Sequence, residues 1–164
     1  MMSAEDVLAV LALARAAEAR VWLGGGWGVD ALAGEQTRPH RDVDLCHRSR
    51  DEPRLLAALA GAGYVQTLDA RPVRFVLSGP AGREIDLHPL EFAADGSALQ
   101  SSFDPASPFC YPADCFTSGT VAGTAVPCVS AAQQVYFHRG YEPADRDRHD
   151  MRLLRERFGV VTPY

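Results

Sequence analysis

A chain of 164 residues, 47% hydrophobic and 23% charged, has the make-up of an ordinary globular protein and is most simply one domain, residues 1–164, with a core of its own. Its formal net charge of −5 argues against broad electrostatic capture of nucleic acid, and no apolar run is long enough for a membrane span. The start, Met1 to Glu18, carries Glu5, Asp6 and Arg15 and lacks the basic segment and cleavage site of a signal peptide, so it reads as a helix. The cysteines Cys46, Cys110, Cys115 and Cys128 form no CxxC pair and no zinc spacing, which leaves reduced thiols and a cytoplasmic protein as the expectation.

Ser3 is placed to cap a helix reaching about Arg20, with Val7, Leu8 and Leu11 at helical spacing. Val21 to Leu23 reads as a short buried strand. Gly24-Gly25-Gly26 turns the chain into a helix from about Trp27 to Ala33, closed by Gly34. Asp42 to His47 alternates as a strand, with Val43 and Leu45 on one face and Asp42 and Asp44 on the other. Arg54 to Ala62 is a helix stopped by Gly63; Tyr64 to Leu68 and Val73 to Leu77 look like paired strands. Gly79-Pro80-Ala81-Gly82 is a turn. In Glu84 to Leu87 the apolar Ile85 and Leu87 alternate with Asp86, and His88 follows in the phase of Asp86. Phe92 to Val129 reads as loop-rich. Ser130 caps a helix to about His138, and Asp145 to Phe158 forms the last helix, so the C-terminal part, about 130–158, is helical. The mixture is that of a compact α/β (α+β) domain.

Two stretches carry chemistry. The glycine run removes side chains where a backbone must approach a ligand, and the helix start behind it presents free N–H groups and a positive dipole end, which suits phosphates. Gly25 and Gly26 are the candidate backbone contacts; Arg38, His40 and Arg41 could add side-chain donors. The same run is also what a plain strand-to-helix turn needs. A dinucleotide fingerprint requires a third glycine where this chain has Val29, and it would leave Asp42 unexplained.

Asp42 and Asp44 project from one face of a strand, and Asp86 is the candidate third carboxylate from a neighbouring strand. Such a trio suits divalent metal, here two Mg2+ ions, and nucleotidyl transfer from ATP or another nucleoside triphosphate. His88 could meet a second substrate or the metal, with a satisfied structural histidine as the alternative; Glu91 could serve a substrate hydroxyl, with a surface carboxylate as the simpler reading. Phe103, Phe109, Tyr111 and Phe116 could wall an acceptor site or simply pack a loop. His138, Arg139 or Tyr141 could reach a phosphate, with capping of the preceding helix as the alternative for the first two. Asp145, Asp147 and Asp150 are first explained by the helix dipole.

The order G-G-G-W-G-V-D, R-x-H-R-D-V-D-L and E-I-D-L-H-P resembles the small antibiotic nucleotidyltransferases of the polymerase-β-like superfamily, above all the short lincosamide enzymes. Asp95-Gly96-Ser97, Pro127-Cys128-Val129-Ser130 and Phe137-His138-Arg139-Gly140-Tyr141 extend the likeness from about Trp22 to Leu154. The aminoglycoside adenylyltransferases acting on a 2″-hydroxyl are similar through the first two motifs. The resemblance implies a short mixed sheet flanked by helices, with a helical C-terminal segment. It implies Mg2+ on Asp42, Asp44 and Asp86, Asp86 as general base, and the triphosphate on Gly25, Gly26, Arg38 and His40. Many nucleotidyltransferases place a lysine on the phosphates; this chain has none, which leaves His138, Arg139 or Tyr141 for that role. His88, Glu91, Phe109 and Tyr111 are the expected acceptor contacts. The expected partners are a nucleoside triphosphate and a small-molecule antibiotic, a lincosamide first and an aminoglycoside second, with neither nucleic acid nor membrane; a homodimer is compatible with all of this. The reading of a different class is a non-catalytic nucleotide-binding module on the same fold.

Overall fold

Strand phase decides where the chemistry sits. In the computed structural model, which describes residues 1–139 and 141–164, β1 (Val21–Leu23), β2 (Val43–Arg48), β4 (Arg74–Ser78) and β5 (Glu84–Phe92) form the middle of one mixed sheet. The order is β3-β4-β5-β2-β1-β9-β8, with β3 spanning Val65–Ala70, β8 Phe116–Val121 and β9 Thr124–Val129. Strand β2 runs parallel to β5 and antiparallel to β1, and its register sets Asp44 opposite Asp86 and Cys46 opposite His88. Neighbouring strands lie about 4.8 Å apart, so a distance of 42 positions in sequence becomes one strand spacing.

The odd-numbered residues of these strands point the other way. Val43, Leu45, Ile85 and Leu87 are buried in one core with Val7, Val10 and Ala14 of α1 (Ala4–Ala16) and Leu55 and Leu59 of α3 (Glu52–Gly61). Complete burial of each such aliphatic side chain stabilises by about 1.5–3 kcal/mol. Ser3 caps α1 through a reciprocal pair with Asp6. The helix stops at Ala16 and not Arg20, because Ala17 leaves helical geometry and Glu18 turns left-handed at φ 55°.

Helix α2 (Gly25–Ala33) is wedged between two cores: Trp27 and Ala31 face the first, Val29 packs on Val135, Met151 and Leu154. It closes on Gly34 at φ 79°. Gly119 on β8 makes this packing possible, since a Cβ there would collide with the backbone of Ala31. Helices α4 (Ala131–Phe137) and α5 (Asp145–Phe158) complete the C-terminal part, with Ser130 capping the first through Gln133 N–H at 3.4 Å.

The segment expected to be loop-rich holds four strands. β6 (Ala98–Gln100) pairs with the end of β5 and with β7 (Phe109–Tyr111), while β8 and β9 form a hairpin with Val121 opposite Thr124. Ala122 at φ 46° and Gly123 at φ 75° make its two-residue turn, the left-handed pair that suits the twist of a hairpin. Among the described residues no helix is long and apolar enough to cross a membrane.

Candidate active site

Two cavities meet on the face of β2 and β5 that carries Asp44, Asp86 and His88. The larger, about 600 Å³, is lined by Gly25 and Gly26, by the loop from Arg38 to Asp42, by Asp44, Arg74 and Asp86, and by His138, Arg146, Asp147 and Asp150. The smaller, about 230 Å³, is lined by Cys46, His88, Gln100, Phe109, Tyr111, Gln134 and Phe137. Gly25, Asp44 and His138 border both.

The glycine run shapes the first cavity by what it lacks. Gly25 stands at φ +52°, and a Cβ on it would overlap the Asp44 carboxylate; one on Gly26 would strike Arg38 and His40. Gly28 N–H makes the first bond of α2, to the Gly24 carbonyl at 2.8 Å, so Gly25 and Gly26 precede the helical ladder and their N–H groups are those a helix start leaves for a ligand.

The carboxylates form the floor. One ligand atom each from Asp44, Asp86 and His88 lies within 4.8 Å of the other two. Asp42 lines the same cavity just before β2, its carboxylate 3.0 Å from Arg41. Asp86 is buried, receives Arg74 Nη1 on Oδ2, and leaves Oδ1 without a hydrogen-bond partner. Burial pushes its carboxyl up to about 6; Asp44 and Asp42 act in the same direction, against His88 and Arg74. Burial also works against ionising Asp44, but the His88 hydrogen bond and the charges of His88 and Arg74 hold its carboxyl below the ordinary value. For His88 burial favours the neutral ring, and the Asp44 contact outweighs it, leaving the imidazole above its ordinary value.

These groups fit magnesium. Asp86 Oδ1 is a buried acceptor lacking a donor, and paired carboxylates are the hard oxygen ligands that Mg2+ takes. Six carboxylates, Asp42, Asp44, Glu84, Asp86, Asp147 and Asp150, face four arginines across the cavity, Arg38, Arg41, Arg74 and Arg146. A polyanion enters such a place more readily once divalent cations offset the acids.

Arg38 and His40 are held by carboxylates the sequence reading did not single out for that task. Asp150 grips the Arg38 guanidinium at 2.8 Å and 2.6 Å, and this bond raises the arginine's pKa. Asp30 Oδ2 lies 2.5 Å from His40 Nε2, while Asp30 Oδ1 accepts from Thr37 at 2.6 Å. Asp30 is buried on an otherwise apolar helix, a pattern that signals a fixed polar partner.

His138 Nδ1 lies 2.8 Å from the Gln134 carbonyl, and its Nε2 is 3.8 Å from Asp147. Tyr141 is half exposed and lies against the His138 ring, outside the lining of either cavity. Arg139 is exposed and lines neither; Gly140 lies outside the described residues. Arg74 and Arg146 are the arginines the sequence reading missed.

His88, Phe109 and Tyr111 line the second cavity as expected. Glu91 does not. It is out of phase with Asp86 on β5 and borders a separate depression with Arg48, Ser49 and Phe92. The acceptor reading therefore loses Glu91. Phe103 is exposed, and Phe116 packs with Trp22, Phe92 and Tyr111.

Comparison with known proteins agrees with this geometry. The family described as aminoglycoside-2''-adenylyltransferase matches residues 6–154. The lincosamide resistance protein of Staphylococcus haemolyticus is 31% identical over 134 residues, covering 82% of this chain and 83% of that protein. The 2''-aminoglycoside nucleotidyltransferase of Escherichia coli is 36% identical over 62 residues, 37% of this chain and 35% of its own. The lincomycin-bound crystal structure of the lincosamide antibiotic adenylyltransferase LnuA superposes with a TM-score of 0.84 at 28% identity, over 94% of this chain and 97% of that one. ANT(2'')-Ia in complex with adenylyl-2''-tobramycin shares the fold, with a TM-score of 0.75 at 22% identity over 93% and 87% of the two chains. With a family match from Asp6 to Leu154 and a curated relative aligned over most of both lengths, the chain belongs to the aminoglycoside-2''-adenylyltransferase family of antibiotic nucleotidyltransferases.

Proposed function

We propose that this protein transfers the adenylyl group of ATP to a hydroxyl of a lincosamide antibiotic, releasing pyrophosphate and inactivating the drug. The observation that carries the reading is the meeting of a polar cavity and an aromatic one at Asp44, with the Asp86 carboxylate beside the junction. The polar cavity has the glycine backbone and arginines for a triphosphate. The aromatic one has Phe109, Tyr111 and Phe137 as walls, and Asp44 is the one acid among its described residues. A polycationic aminoglycoside would gain little from such walls, whereas a lincosamide offers an apolar propylproline unit beside its thiosugar. The lincosamide relatives match over most of their length, in sequence and in fold.

Asp44 and Asp86 would hold magnesium, with Asp42 at the cavity wall as a further ligand. The metal's chemistry there is neutralisation of phosphate charge and Lewis-acid polarisation of the reacting phosphoryl group. Gly25 and Gly26 bind phosphate through backbone N–H groups. Arg38 and His40, oriented by Asp150 and Asp30, line its path. A hydroxyl oxygen of the acceptor forms the new bond to the α-phosphorus; the bond from that phosphorus to the bridging oxygen breaks, and its electron pair leaves with pyrophosphate. Asp86, a carboxylate beside the junction of the two cavities, accepts the hydroxyl proton as general base. ATP and Mg2+ are at hand in the cytoplasm, where we place the enzyme.

Mass spectrometry after incubation with ATP, Mg2+ and either lincomycin or kanamycin tests the reading. The expected product is an adenylyl adduct on lincomycin. An adduct on kanamycin alone would transfer the chemistry to aminoglycosides, and no adduct and no pyrophosphate with either would refute the reading.

A further inference from the structure

A buried chain of hydrogen bonds ends at the proposed metal site. Gln100, at the end of β6, is buried and has three side-chain contacts: Nε2 to the Val73 carbonyl at 3.0 Å, Nε2 to His88 Nδ1 at 3.1 Å, and Oε1 from the Tyr111 hydroxyl at 2.6 Å. The Val73 carbonyl can only accept. It therefore fixes which end of the amide is NH2, and that end also faces His88. An amide NH2 can only donate, so His88 Nδ1 must offer its lone pair, and the ring proton resides on Nε2.

Nε2 lies 3.3 Å from Asp44 Oδ1, to which it donates, while Asp86 Oδ1 stands beyond hydrogen-bond reach at 3.7 Å. The other end of the chain agrees in sense. The Tyr111 hydroxyl spends its hydrogen on Gln100, so it accepts from Cys46 Sγ at 3.5 Å. A hydrogen on Nδ1 would point at the amide hydrogens and require Gln100 to release Val73.

We propose that Gln100 is a positioning residue: it holds His88 Nδ1 as an acceptor and so keeps the ring proton on Nε2, where it donates to Asp44, so that His88 would not ligate a metal held by the carboxylates. The tautomer follows from the geometry alone; its consequence for catalysis rests on the function proposed above. An Nε2 lone pair beside two carboxylates would make a mixed nitrogen and oxygen site of the kind transition metals favour. With Nε2 protonated, the ligands are oxygens alone, as Mg2+ requires.

The experiment is a long-range 1H–15N correlation spectrum of the full chain labelled with 15N-histidine, with His88 assigned through His88→Gln. At pH 7.5 the expected pattern is a protonated Nε2 and an unprotonated Nδ1, unchanged when Mg2+ is added to saturation. An Nδ1–H tautomer, a doubly protonated ring, or loss of the Nε2 proton on adding Mg2+ overturns the proposal without recourse to any variant. Gln100→Met abolishes both amide contacts at similar length, and Gln100→Glu can accept but not donate. The single-tautomer pattern should blur in the first, and in the second Nδ1 should gain a proton, since a carboxylate there can only accept. Turnover of Gln100→Met should fall about 10–100-fold, as for residues that orient a metal site from behind, with KM for ATP unchanged. A folded Gln100→Met or Gln100→Glu protein with the wild-type His88 pattern would overturn it as well. A protein with the expected spectrum that adenylylates nothing would refute the proposed function and leave the tautomer standing.

Discussion

Replacing Asp86 with asparagine should make the metal-free protein more stable and the enzyme inactive, and the gain in stability should depend on pH. The Asp86 carboxyl is raised from 3.8 to about 6 in the fold. A group whose folded pKa is raised contributes stability that is fully present below the unfolded value and is lost as pH rises through the folded one. Asparagine stays neutral throughout and loses nothing. The variant's advantage is then about 0.5 kcal/mol at pH 4, about 1.5 at pH 5 and about 3 above pH 7. Asparagine can still accept from Arg74 through its side-chain oxygen, so the hydrogen bond persists while the charge pairing goes. For a chain of this size about 3 kcal/mol is a rise of roughly 6–12 °C in Tm. Chemical denaturation in EDTA at pH 5 and pH 8 measures the difference, and activity should drop about 100-fold or more if Asp86 is the base. A stability difference of equal size at both pH values, or a variant less stable than wild type at pH 8, would refute the reasoning.

Further outcomes follow from the same site. Mg2+ at about 100 times its Kd should raise wild-type stability by ~2.7 kcal/mol; Asp44→Asn should abolish most of that rise in a thermal melt, and EDTA should reverse it. Gly25→Ala forces a Cβ onto the Asp44 carboxylate at φ +52°. It should raise KM for ATP about 10-fold or more, whereas Gly34→Ala, with only Thr120 Oγ1 near its Cβ at 3.3 Å, should cost about 1 kcal/mol of stability and leave steady-state kinetics alone. Asp150→Ala frees Arg38 from its clamp and should lower stability by about 2 kcal/mol, less than a fully buried pair because Arg38 is partly exposed. It should also raise KM for ATP more than it lowers kcat; unchanged KM would mean that Arg38 does not face the nucleotide.

The parts of this site that were legible in the sequence are those written in local periodicity. Asp44 and Asp86 alternate with buried aliphatic residues, so each strand declares which face its carboxylate takes, and register alone was needed to bring the two together. The same arithmetic could have removed Glu91, which stands five positions after Asp86 and so on the opposite face of β5. The hairpin of β8 and β9, read as loop, could likewise have been found in two runs of valine, threonine and small residues split by Ala122-Gly123. What stayed hidden depends on partners brought in from afar. Nothing near Gln100 says that its amide will reach Val73 and His88, and Asp150 grips Arg38 across 112 positions.

The absence of lysine gives these hidden carboxylates their meaning. A lysine ammonium is a compact charge that serves a phosphate from many directions, whereas guanidinium and imidazole are planar and donate along fixed lines. A cavity that relies on arginine and histidine must therefore set their planes. Asp150 does this for Arg38 with two bonds, and Asp30 does it for His40 while tying down Thr37 on the same loop. Both acids are almost wholly buried, at 2% exposure each, where an unpaired carboxylate would be strongly disfavoured, so each pair locks the other's position. On the proposed function, what the phosphate side of this chain requires is not a particular cation but a cation with a buried orienting acid behind it. Asp30→Asn should therefore impair ATP binding although Asp30 lines no part of the cavity. A rise in KM for ATP of about 10-fold with the fold retained by circular dichroism is the expected result. An unchanged KM would refute this: either His40 does not face the nucleotide, or its plane is set by its packing against Trp27, at 4.8 Å between rings, and not by the acid.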